Sequence, residues 1–308
     1  MISIASVAQR LALAGVVLAG APGCVSMTVG MTAPVVKIAS ADFNREADLD
    51  FAREASPGQI KTAEGFLAAD PENHILLEVV TRGYIEYAFG FLEDDIDSMP
   101  DDPKHAADRE RLVKRTTDLY DRALGFALRL VALEDKNFKD AFAKDVAATE
   151  AEAKKLDKDA APGLFYTGLA LASGINLNRN DVARVVDLPK AIALIKRAYQ
   201  LDPTFGNGQP AMTMGVITGA QGKAMGGDPD ASKKYFEEAI AASGGKYLMT
   251  KVLMARVYAV TAQDRPLFEK LLKEVIDAPA NIFPEYRLAN ELAKKKARRY
   301  LTRVEDYF

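Results

Sequence analysis

The chain contains no tryptophan, one cysteine (Cys24) and two histidines (His74 and His105) in 308 residues. A lone cysteine excludes any disulfide within the chain. Two histidines leave little room for a histidine-rich zinc site or for imidazole catalysis. Charge of one sign is also lacking. Forty Lys and Arg face 43 Asp and Glu, interspersed, for a net of −3. That balance argues against a nucleic-acid footprint and against a strongly cationic membrane-surface helix. The sequence has no H-E-x-x-H, G-x-S-x-G, phosphate-loop or G-x-G-x-x-G motif, so it offers no catalytic, cofactor-binding or metal-binding residues. The expectation is a non-enzymatic protein without a cofactor.

The N-terminus reads as a targeting segment. Arg10 precedes an apolar run, Leu11 to Ala19, which small residues follow. The run is too short to span a bilayer and has the layout of a signal peptide. Two processing routes fit. Ala19-Gly20-Ala21 suits ordinary signal peptidase, although Pro22 follows it. Ala21-Pro22-Gly23-Cys24 resembles a lipobox, with Cys24 the acylated residue, although Ala21 and Pro22 depart from the usual pattern. The lipobox route explains why the single thiol falls just after the apolar run. Two or three acyl chains would give durable membrane anchoring, and Val25 after the cysteine favours the outer membrane. The expected organisation is a signal peptide over 1–23, a lipidated Cys24 with a tether over 24–45, and one helical-repeat domain over 46–308.

Beyond Asp48 the apolar residues recur at helical spacing, with no segment of period two. Leu76, Val80, Tyr84, Tyr87 and Phe91 form one stripe. Leu77, Ile85, Ala88 and Leu92 widen it, which predicts a helix covered on more than one side. Further stripes run through 112–133, 164–175, 188–201, 211–221, 231–242, 246–260, 266–277 and 284–304. Ser56-Pro57-Gly58-Gln59 has the form of a capping box. Asp187, Asp228 and Asp264 each precede a proline in a first helical turn. Asp70-Pro71 and Asp202-Pro203 read as helix stops.

A helix-pair repeat runs through this pattern. Lys190-Ala191-Ile192-Ala193-Leu194-Ile195-Lys196-Arg197-Ala198-Tyr199-Gln200-Leu201-Asp202-Pro203 matches the second helix of a tetratricopeptide repeat. Ser232 to Ile240 repeats it, and Ala123 to Glu134 is a looser copy. Ala123 and Ala191 lie 68 positions apart, two 34-residue periods. The fold class expected is therefore all-α, a tetratricopeptide-like superhelix of antiparallel helix pairs, whose concave face would bind a partner.

The remaining signals are weak. The acidic run Glu93 to Asp102 lacks the glycine turn of a calcium loop and reads as a solvated connection. The basic last helix, Lys294 to Arg299, reads as a solvated face. Asn176, Met212, Met214, Lys223 and Arg256 are the candidate ligand- or partner-lining residues, the methionines because they suit an adaptable apolar pocket.

Three stretches carry a resemblance. They are Met225-Gly226-Gly227-Asp228-Pro229 with Tyr235 to Ala239, Val252 to Val260 with Gln263 to Phe268, and Arg298-Arg299-Tyr300-Leu301 with Glu305 to Phe308. Together with Tyr84 to Glu93 they resemble the TatT component family, periplasmic lipoproteins associated with tripartite ATP-independent periplasmic (TRAP) transporters. The resemblance implies a periplasmic, lipid-anchored protein that partners a periplasmic solute-binding protein in uptake of a small, apolar ligand. It also implies homo-oligomers, a trimer being one guess. The rival expectation is a general tetratricopeptide-like lipoprotein that organises envelope assembly or secretion.

Overall fold

The computed structural model describes residues 22–220 and 226–308, with side chains from Thr32 onward. The described residues are all-α, without a strand among them. Helix α1 is Pro22–Phe43, α2 Leu49–Ala69 and α3 His74–Tyr87. A π-turn, Ala88–Leu92, joins α3 to α4, Glu93–Ser98. Then follow α5 (Ala106–Glu134), α6 (Phe138–Lys144), α7 (Val146–Lys155), α8 (Ala161–Leu177) and α9 (Val182–Val185). The rest are α10 (Leu188–Leu201), α11 (Phe205–Gly219), α12 (Pro229–Ala242), α13 (Met249–Leu253), α14 (Arg265–Asp277) and α15 (Arg287–Thr302). A second π-turn, Met254–Ala259, follows α13.

Local chemistry sets several boundaries. Asp228 and Asp264 accept from the amides of Ala231 and Leu267, each at 3.0 Å, and cap α12 and α14. Asp70 and Asp202 end α2 and α10. Asp187 precedes α10, but its carboxylate pairs with Lys190 at 3.0 Å. The capping box at Ser56 is not formed. Asp48 caps α2 instead, and Ser56-Pro57 lies inside that helix, where Ser56 Oγ donates to the Ala52 carbonyl. Ala52, Ser56, Ile60, Ala63 and Leu67 make a continuous buried stripe. Burying that stripe outweighs the one hydrogen bond that proline removes.

From α3 to α12 the main helices pack largely on their neighbours in chain order: α3 on α5, α5 on α8, α8 on α10, and α11 on α12. Small residues allow the close approaches. A methyl group at Gly168 of α8 would lie 2.8 Å from the Ala191 carbonyl oxygen of α10. Ser232 Oγ of α12 donates to the Gly215 carbonyl of α11 at 2.8 Å. Ala123, Ala191, Ala198, Ser232 and Ala239, the repeat positions, are all fully buried.

The last helix then returns to the first ones. Leu288 N donates to the Asn44 carbonyl at 3.0 Å. A methyl group at Gly90 would meet Leu292 at 2.8 Å. This return corrects two expectations. The acidic run is no solvated loop, because Glu93–Ser98 is helical and Asp94 is 1% exposed. Nor is the basic helix a solvated face. Lys295 and Lys296 reach Asp94 at 3.0 Å each, and Arg299 reaches it at 2.7 Å and also bonds Asp97. The two runs are complementary charges about 200 residues apart that the fold brings together.

Residues 25–45, expected as a tether, are helical to Phe43. Their weak periodicity has a physical basis, since apolar residues leave this helix in several directions. Ala33 is fully buried, Val36 and Phe43 pack on the core, and Ile38 is exposed. The Cys24 side chain and most of the 1–23 segment lie outside the described residues.

Candidate functional site

The return of α15 completes a half-open pocket of about 530 Å³ between α1, α2, α3, the first π-turn and the start of α15. Its walls are apolar: Val35, Val36 and Phe43 from α1, Ile60 and Phe66 from α2, Val79 from α3, and Leu288 and Leu292 from α15. Val35 is 63% exposed, which places an opening of the cavity beside α1. The π-turn shapes another wall. Tyr87, Phe89, Gly90 and Phe91 all border the cavity. Gly83 is small because a methyl there would lie 3.0 Å from Ile60.

One end is polar. Glu86 opens into the cavity with 47% of its side chain accessible, although protein surrounds it. Arg82, one turn earlier, holds Ser40 Oγ at 2.9 Å and places its Nε 3.7 Å from Glu86. Burial pushes the Glu86 carboxyl above its ordinary range, and the Arg82 charge only partly offsets this. The Arg82 guanidinium is shifted up, chiefly by Glu86, against its own burial. Tyr247 and Tyr286 stand edge to face with centroids 5.7 Å apart and border the same end. Burial raises the Tyr247 phenol, and the nearby Glu86 charge adds to the effect.

A wider surface depression of about 810 Å³ lies by α14, where Lys251 pairs with Glu274 at 2.7 Å and Lys273 with Glu269 at 3.2 Å. Among the described residues no group of acidic, histidine or cysteine side chains has the arrangement of a metal site.

The candidate residues read from sequence do not border the half-open pocket. Asn176 is exposed and accepts from Arg179. Met214 is core, and half-buried Met212 takes a hydrogen bond from Thr250 at 3.5 Å. Arg256 stacks over Tyr307 at 4.5 Å and Tyr300 at 5.9 Å. Lys223 lies outside the described residues. Glu86 went unrecognised as a site residue. The signal available was an arginine and a glutamate at i, i+4 on a helix otherwise covered by apolar residues on several sides.

The described residues thus form an all-helical body with a half-open apolar pocket that is charged at one end. The chain belongs to the TRAP transporter T-component family, whose model matches residues 45–308. Helix α1 precedes that matched span. An uncharacterized protein of Treponema pallidum (strain Nichols) is 22% identical over 276 residues, covering 88% of this chain and 85% of its own length.

Proposed function

We propose that this chain is the accessory binding component of a TRAP-type uptake system, non-enzymatic, in which it partners a periplasmic solute-binding protein and holds a small apolar ligand in the α1–α3 cavity. The observation that carries the reading is the half-open 530 Å³ pocket with apolar walls in a member of this family. Such a volume falls in the ordinary range for small-molecule sites, about 300–1,000 Å³. The chain-order packing with small residues at each crossing supports a tetratricopeptide-like array whose ends are drawn together.

The reading places the protein in the bacterial periplasm, with residues 1–23 removed, Cys24 acylated, and the outer membrane as the favoured anchor. No described helix is long and apolar enough to cross a membrane; in this reading the acyl chains on Cys24 hold the protein at the membrane. Self-association, for instance as a trimer, is compatible with this arrangement. A Cys24→Ser variant should leave the membrane fraction; its retention there would remove the anchor from the proposal.

The deciding experiment is a pull-down with the chain from a periplasmic extract of its host, read by mass spectrometry. Recovery of a solute-binding protein is the expected result. Recovery of assembly or secretion proteins alone would replace this reading with the general scaffold.

A further inference from the structure

Glu86 is the one charged residue bordering the cavity among the described residues. No donor there reaches it within hydrogen-bond distance; Arg82 stands 3.7 Å away and is turned onto Ser40. Arg82 is also shared, because Glu78, one turn before it, acts on the same guanidinium. Glu86 therefore has no close cation, and it is the charge that the pocket presents. Tyr247 and Tyr286 add aromatic rings at that end, and ring faces attract cations. A carboxylate walled by protein and without donors gains from a ligand that supplies them.

We infer that the cavity accepts a single-chain amphiphile with an ammonium head, its tail against the apolar walls and its head on Glu86 beside Tyr247 and Tyr286. This rests on the reading of the cavity as a ligand site and specifies which ligand it prefers. A carboxylate or phosphate head would bring a second negative charge against Glu86. An ammonium supplies up to three donors and the missing charge. The walls contribute by length alone, about fourfold in affinity for each methylene buried.

The test is calorimetric titration of the full chain carrying Cys24→Ser, free of detergent, with decylamine, decan-1-ol and decanoate. It is run near pH 7 and about 0.15 M salt to suppress surface charge effects. Decylamine should bind about tenfold or more tighter than decanoate, the usual reach of a hydrogen bond to a charged group. Glu86→Gln should erase that preference while decan-1-ol still binds, which shows that the cavity is intact. Equal or tighter binding of decanoate, or a preference that survives Glu86→Gln, overturns the inference while leaving an apolar ligand site in place. If none of the three binds, the ligand-site reading itself fails, and this inference with it.

Discussion

Two acidic residues eight positions apart, Glu86 and Asp94, meet opposite fates. Asp94 is buried and held by three cations from α15 at 2.7–3.0 Å. Burial acts to raise its carboxyl pKa, but the hydrogen bond from Arg299 and the charges of Lys296 and Lys295 prevail and hold it well below the ordinary carboxylate range. Glu86 has one distant partner and an empty space in front of it, and its carboxyl is raised. A saturated charge fastens helices together. An unsaturated one in a cavity is available to something that is not part of the chain.

Breaking the saturated side should have the largest effect. Asp94→Asn leaves Lys296 and Arg299 buried against a neutral amide, and we expect a loss of about 3–5 kcal/mol in urea unfolding, the usual range for one half of a buried pair. A folded pKa below the unfolded value gives stability that is fully present above the unfolded value, near about 4, and is lost as pH falls through the folded one. The gap between wild type and Asp94→Asn should therefore shrink below about pH 4. A gap independent of acid would show that shape, rather than charge, holds the seam.

Gly90 lies between the two acids, on the π-turn that faces both the cavity and α15. Gly90→Val would force Leu292 aside, with an expected loss of about 1–3 kcal/mol. The same unfolding measurement checks it; unchanged stability would mean that the turn yields easily. Glu86→Gln should have the smallest effect. A raised folded pKa gives stability that is present below the unfolded value and lost as pH rises, so the charged form burdens the fold near neutrality. The melting temperature of Glu86→Gln at pH 7 should equal or exceed that of wild type. A clear drop would make Glu86 a structural residue like Asp94.

The helices were legible because their signals are local. Stripes such as 112–133 and 188–201 and the caps at Asp228 and Asp264 depend on neighbours within a few residues, and they appear where the pattern places them. The seam was not legible. Neither Glu93–Ser98 nor Lys294–Arg299 carries any mark of its partner, and each alone looks like a solvated charged stretch. Helix α1 was missed for another reason: a helix that lends residues to a cavity, a core and an outer surface has no single apolar face. The cavity followed from both omissions, since α1 and α15 are two of its walls.

The cavity draws its walls from residues as early as Thr32 and as late as Leu292. It therefore cannot exist on a partly synthesised chain, whatever number of helix pairs has already formed. The pocket is complete only when nearly the last helix has docked. A chain that loses that helix would forfeit a wall of the site and, in the same stroke, every cation that Asp94 needs.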